Sequence, residues 1–312
     1  PRSLTVTAGP STSGGIITFT GAVGGTSELS GLTSKSDYFK AGSSIRLAGL
    51  LDIDVYSNSY GASYGIAGAI VDGSSAASLN KGGHGSRYLE LMGNNSYTGS
   101  TTIEAGYLKI TNDNPHSFLN NTTITGPGHL LIVPANTNFG STLSMSDINF
   151  SGTQIRQLHL GKSGTSTKLV LDENISTDGE IYLRMPVEVN GGDRSISSTN
   201  DNIRFYSTID SDTSARSLTI NPGTRNATID GAVGGNAPLN DLTVTARTLT
   251  ASAIKLNGEL NATLSQSSTI SGAITNGAST ASLVKAGSGT LTLSGANTYT
   301  GTTQVSAGTL TV

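Results

Sequence analysis

The 312-residue chain contains no cysteine and no tryptophan, and only 8 prolines and 3 methionines. Zero cysteine excludes disulfides, thiolate metal sites and thiol catalysis. It suits the cytosol and equally a surface protein exported through an oxidising compartment, where stray thiols cross-link. Charged residues make up 12% of the chain, about half the usual share for a soluble domain. A net charge of −3 gives no field to attract nucleic acid or an anionic membrane, so neither is expected as a partner. No apolar run approaches the roughly 20 residues of a membrane helix, so this segment is not expected to insert. No stretch of about 10–12 residues carries a helical spacing of apolar side chains either. The chain opens on Pro1-Arg2-Ser3 without a starting Met or an apolar signal segment, and it reads as a processed or excised piece of something longer.

Glycine is abundant, at 40 residues, and so are serine and threonine. Thr, Val, Ile and Leu alternate in short runs between turn residues, the pattern of pleated strands. Self-similarity organises these runs. "IAGAIVDGSSAASLNK" (66–81) matches "ISGAITNGASTASLVK" (270–285), and "YLELMGNNSYTGSTTIEAGYLKI" (88–110) matches "TLTLSGANTYTGTTQVSAGTLTV" (290–312). "GAVGG" recurs at 21–25 and 231–235, and "RSLTV" at 2–6 returns as "RSLTI" at 216–220. Two related halves, 2–110 and 216–312, therefore flank a divergent middle, 111–215. The strand rhythm persists there in "HLLIV", "QLHL", "KLVL", "EIYL", "VEV" and "IRF".

A shorter interval sets the fold. Leu291 and Leu293 share one face of a strand, and Leu310 and Val312 occupy the same places 19 residues later; Leu89/Leu91 and Leu108/Ile110 repeat the arrangement. A strand that returns at a constant interval after turns and shorter strands is one coil of a β-solenoid. The handedness of parallel crossovers favours a right-handed coil. We therefore expect an all-β, right-handed parallel β-helix of roughly 15 coils at about 20 residues each, continuous over 1–312. Gly93, Gly99 and Gly106, matched by Gly295, Gly301 and Gly308, are expected at turns, and Asn95 and Asn297 in left-handed conformations with side-chain bonds to backbone. Tyr97 and Tyr299 are expected to close equivalent turns. Val312 falls inside a repeat, so further coils or a partner are expected beyond it.

The segment "GSGTLTLSGANTYTGTTQVSAGTLTV" (287–312) resembles the autotransporter-associated β-strand repeat of passenger regions of Gram-negative surface proteins. "GAVGGTSELSGLT" and "GAVGGNAPLNDLTVTA" resemble segments of large repetitive proteins of the filamentous-haemagglutinin type. The resemblance implies a right-handed parallel β-helix, secretion across the outer membrane, and a role in adhesion or surface architecture. It implies no particular ligand.

Signals of chemistry are sparse. His84, His116, His129 and His159 lack metal-ligand spacing, and no G-x-S-x-G elbow is present. Because β-helices also carry polysaccharide lyases and hydrolases, the acidic spots Asp52/Asp54, Asp172-Glu173 and Asp210/Asp212 are the candidates for such chemistry, although no groove-lining pair is visible among them. Tyr56, Tyr60 and Tyr64 form an aromatic cluster without a counterpart in the second half, a possible contact surface for carbohydrate or a neighbouring rod. The expectation is an extracellular structural or adhesive rod at a bacterial surface, without catalytic activity and without cofactor or metal. Its partners would be other copies, end to end or lateral, or a host-cell or glycan ligand. The alternative is a polysaccharide-acting β-helix enzyme.

Overall fold

The computed structural model describes residues 2–8, 15–56, 65–150 and 154–312. The chain is an all-β parallel solenoid of about 13 turns with almost no helix. The turns number fewer than the expected 15 or so because coil length varies. Thr290 pairs with Thr309 after 19 residues, whereas Ser3 pairs with Gly31 and Leu50 with Ser78 after 28. The extra residues lie between strands, which is where insertions cost least.

Contacts group the chain into two compact units, Pro1–Ser141 with Asp147–Leu158, and Thr142–Ser146 with His159–Val312. In the first, one ladder runs Ser3–Thr7, Leu29–Ser36, Ile45–Val55, Ser78–Gly83, Thr101–Ile103 and Ile124–Thr125. A second runs Ile16–Phe19, Tyr38–Ala41, Gly65–Ile66, Tyr88–Leu91, Tyr107–Thr111 and His129–Val133. In the second unit one ladder runs from Glu180–Leu183 through Ile203–Phe205 and Asn226–Ile229 to Thr309–Thr311. Another runs from Ile175–Thr177 through Arg194–Ser198 to Thr303–Val305, and shorter strands such as Val187–Val189 and Ile209–Ser211 form a third face.

Alternation decides what points where. In Thr290–Leu293 the leucines are buried and the threonines half-buried, and Tyr88–Leu91 repeats the pattern. Parallel in-register pairing then stacks like on like. Leu89, Leu108 and Leu130 form one column, and Leu218, Leu242, Leu260 and Leu283 another. Each fully buried leucine or isoleucine contributes about 1.5–3 kcal/mol, so the thin core gains its stability coil by coil. All six named strands of the middle segment are present.

The turns are built from specific residues. Gly106 and Gly308 adopt φ of 74° and 75°, where a side chain is disfavoured. Asn95 and Asn297 differ from expectation, since no non-glycine residue among those described has positive φ. The expected side-chain bonds to backbone are made, to a neighbouring coil and within the turn. Asn95 Oδ1 accepts the Ile70 N–H at 2.9 Å while its Nδ2 donates to the Gly93 carbonyl at 2.9 Å, and Asn297 does the same with Ile274 and Gly295 at 2.9 Å each. The amide satisfies two backbone groups from an ordinary backbone conformation, which removes the need for the left-handed one. Tyr97 is fully buried with its hydroxyl 2.6 Å from Thr101 Oγ1, and Tyr299 makes the matching 2.7 Å bond to Thr303.

Two buried lysines also recur, a feature missed in the sequence because lysine is normally solvated. Lys81 and Lys285 are both 0% exposed. Lys81 Nζ donates to the carbonyls of Gly82 and, at 3.0 Å, Ala105; Lys285 Nζ donates to Ala286 (2.6 Å), Gly287 (2.9 Å) and Ala307 (3.2 Å). A Cβ on Gly106 or Gly308 would stand only 3.1 or 3.0 Å from the ammonium. Lysine and glycine therefore act together, one coil apart, to fasten the corner.

Candidate functional site

The candidate acids face outward, as strand alternation requires, but each one for which a contact is seen is engaged. Asp52 accepts a bond from Asn80 Nδ2 at 2.9 Å; burial pushes its carboxyl pKa up, with the Asn80 bond opposing. Asp54 lies 3.5 Å from Lys35 Nζ and accepts the Tyr56 hydroxyl at 3.4 Å. Asp172 accepts the Ser146 N–H at 3.0 Å and its hydroxyl at 2.6 Å, while Glu173 is exposed. Asp210 accepts the N–H groups of Asn236 (2.9 Å) and Ala237 (3.1 Å). Asp212 accepts from Ser214 N–H (2.7 Å), Gly191 N–H (3.1 Å) and Arg216 Nε (3.2 Å).

These bonds follow one rule: a carboxylate at a turn satisfies backbone N–H groups of its own turn or of an adjacent coil. Asp72, Asp193 and Asp241 do the same for Thr98, Ser217 and Glu259. That is turn-capping chemistry. Glu188 and Asp210 are the acids placed directly opposite one another in register. Glu188 is ion-paired with Lys168, and Asp210 is committed to the Asn236 turn.

Of the expected aromatic cluster, Tyr60 and Tyr64 lie outside the described residues. Tyr56 is exposed, and its carbonyl accepts a bond from Arg87 Nε at 3.2 Å. Register builds other aromatic groupings that the sequence did not reveal. Tyr88, Tyr107 and His129 stand one above another, with ring centroids 4.4 and 4.2 Å apart and planes within 17°. No group of three or more His, Asp or Glu placed to hold a metal occurs among the described residues. No described helix is long and apolar enough to cross a membrane.

In the second unit, adjacent coils place a Tyr-x-Arg beside an Arg-x-Tyr. Tyr182 is in register with Arg204, and the two following outward positions are Arg184 and Tyr206. The Arg184 guanidinium sits 3.8 Å and that of Arg204 4.4 Å from the Tyr206 ring centroid, with Tyr182 edge-on to Tyr206 at 6.1 Å. Asp230 neutralises Arg204 at 2.8 Å, whereas Arg184 forms no ion pair among the described residues, and its buried Nε has no hydrogen-bond partner. Arg184 and Tyr206 line a cleft of about 300 Å³ together with Ser163, Thr165, Ser166 and Ser207. Two guanidinium groups share one ring among hydroxyls, with Asp230 ion-paired to Arg204 and the Glu180 carboxylate bonded on the Tyr182 side.

The first unit holds a further constellation. His116 Nδ1 lies 2.8 Å from Asp147 Oδ2, and its Nε2 lies 2.8 Å from the hydroxyl of Ser141. With its amide oriented to face Asp147, Asn120 donates to Oδ1 at 3.2 Å and to the Asp147 carbonyl at 3.1 Å. The four residues are up to 31 positions apart, and nothing in the local sequence signals their meeting.

The passenger-associated-transport-repeat family model matches residues 85–110 and 283–312. No curated protein and no solved structure matches the chain. The matched segments are the two closing stretches of the related halves, each with its Asn, Tyr and Gly turn. Two segments of the chain are thus similar to the passenger-associated transport repeat, in keeping with a passenger repeat protein of the autotransporter type.

Proposed function

We propose that this chain is part of a secreted bacterial surface passenger, displayed at the outer membrane, where it acts as a structural and adhesive element. The observation that carries the reading is the pair of matched repeats set in a parallel solenoid whose inward leucine and isoleucine columns recur, while the outward pairs are threonine on threonine in one repeat and tyrosine on tyrosine beside Glu90 and Lys109 in the other. Such a scaffold gains surface by adding coils, and its Thr, Ser and Asn exterior stays hydrated with little charge. Turn-capping by the outward carboxylates supports a scaffold over polysaccharide cleavage, which needs two carboxyls facing one groove.

A candidate contact surface is the cleft at Arg184 and Tyr206. One unpaired guanidinium beside an aromatic ring and several hydroxyls suits a carboxylated glycan. The test is a glycan-binding screen on the purified chain, with Arg184→Ala and Tyr206→Ala as controls. Retention of uronate- or sialate-bearing glycans, lost in both variants, supports adhesion through this face. Retention of no glycan by a folded chain that self-associates would replace adhesion with a purely structural role. Protease accessibility on intact cells tests display; full protection would overturn the surface assignment.

A further inference from the structure

We infer that Ser141, His116 and Asp147 form a serine nucleophile site able to hydrolyse small carboxylic esters, an activity that goes beyond the scaffold reading and departs from the expectation of a chain without catalysis. The connectivity is the one acyl transfer needs. Asp147 takes the Nδ1 side of the imidazole at 2.8 Å, which places the proton of neutral His116 on Nδ1. The Nε2 lone pair is thereby left for the Ser141 hydroxyl, also at 2.8 Å. Asn120, donating to Asp147 Oδ1 and to the Asp147 carbonyl, restrains the carboxylate beside the ring.

The setting distinguishes this group from the ordinary turn caps. It lies where the strand rhythm breaks. The α-helix His116–Leu119 and the 3₁₀ turn Met145–Asp147 are the helical elements among the described residues, and they supply the base and its orienting acid. The turn carboxylates Asp72, Asp193, Asp210, Asp212 and Asp241 each satisfy backbone N–H groups. Here a hydroxyl, an imidazole and a carboxylate bind one another. His116 and Asp147 are each 23% exposed while Ser141 is exposed, the order expected when a shielded relay serves an accessible nucleophile. Gly140 fixes the approach to Ser141: its N–H is bound to the Asp113 carbonyl at 2.7 Å, and a Cβ there would meet Asn114 Oδ1 at 2.5 Å. The Ser141 N–H itself donates to no acceptor among the described residues and is available to a developing oxyanion.

The reaction balances with water as the only co-reactant. Ser141 Oγ bonds to the ester carbonyl carbon as its proton passes to His116 Nε2. The tetrahedral adduct collapses, the C–O bond to the alcohol breaks, and the alcohol leaves with the proton from His116. Water attacks the acyl-serine, giving its proton to His116, and the carboxylic acid departs as Ser141 recovers its hydrogen. An exposed serine suits a short acyl group that protrudes from its carrier, such as an O-acetyl ester.

The test uses the full chain with a fluorophosphonate probe and p-nitrophenyl acetate, comparing wild type with Ser141→Ala, His116→Gln and Asp147→Asn, each first shown to be folded by circular dichroism. We expect one phosphonyl adduct, mapped to Ser141 and absent from Ser141→Ala. Labelling and acetate release should fall about a hundredfold or more in His116→Gln, the usual contribution of a general base. Asp147→Asn should lower labelling and acetate release as well, because the imidazole then loses the carboxylate that orients it. The inference is overturned if no adduct forms under conditions that saturate a known serine hydrolase, if adducts scatter over surface serines, or if His116→Gln labels at the wild-type rate. If His116→Gln does not fold, the Ser141→Ala and Asp147→Asn arms decide alone. Glycan binding at Arg184 is scored separately, so failure here leaves the adhesion reading standing.

Discussion

Replacing Lys81 by methionine isolates the energetics of a buried, carbonyl-held ammonium. In the native chain Lys81 is 0% exposed, and burial lowers its pKa from 10.5 to about 8, with the charge of Asp54 opposing. Below pH of about 8 both folded and unfolded chains carry the proton, so this group adds no pH dependence. Between about 8 and 10.5 the unfolded chain holds a proton that the folded chain has released, and stability rises with pH. The stabilising increment is complete above the unfolded pKa and is lost as pH falls through about 8; its full size is about 3 kcal/mol. Methionine keeps the stem but leaves the carbonyls of Gly82 and Ala105 without this donor, which costs about 1–3 kcal/mol for each unsatisfied group. Near neutral pH that loss and the relief of burying no charge offset one another to within about 2 kcal/mol. The decisive quantity is therefore the slope. Urea unfolding of wild type and Lys81→Met from about pH 7 to about pH 10.5 should give curves that diverge above pH 8, and the other lysines and tyrosines cancel in the difference. Parallel curves would refute the reasoning, because they would mean that Lys81 titrates alike in both states.

Tyr97→Phe should destabilise the chain by about 1–2 kcal/mol, because Thr101 loses a buried partner; Tyr299→Phe, at the matching but half-exposed position, should cost clearly less in the same melts. Leu242→Ala removes the centre of a four-leucine column and should cost about 2–5 kcal/mol by denaturant unfolding. Acidification should unfold the chain through its turn caps. Burial raises Asp72 and Asp212, but N–H and hydroxyl donors, joined at Asp212 by Arg216, outweigh it and leave both carboxyls below the ordinary range. Their contribution is present above about pH 4 and is lost as pH falls through the lowered folded values. Asp72→Asn should shift the acid midpoint measured by circular dichroism.

Strand positions and their inward faces were legible because alternation and a 19-residue return are local signals that pairing preserves: Leu291 meets Leu310 as the interval requires. Coil number was not, since coils lengthen in the turns, where nothing in composition marks a boundary. Asn95 was read as a turn residue correctly but with the wrong backbone conformation, because its use lies in a bond to Ile70 of another coil. Lys81 and Lys285 stood at matching positions in plain view, yet a buried lysine contradicts the ordinary preference and was passed over. The groupings around Tyr206 and Ser141 arise only when coils stack, so residues 22 to 31 apart become neighbours without any local motif.

Stacking like on like has a consequence for how the chain finds its register. A leucine column offers no address: slipping one coil along would again place leucine on leucine at nearly the same energy. The polar pairs break that degeneracy, since Lys81 reaches across to the Ala105 carbonyl of the next coil, Asn95 serves Ile70, and His116 meets Ser141. Each misplaced coil would strand a buried amine, amide or imidazole without its partner. The apolar interior makes the solenoid possible, and a few singular polar contacts tell each coil which neighbour is its own.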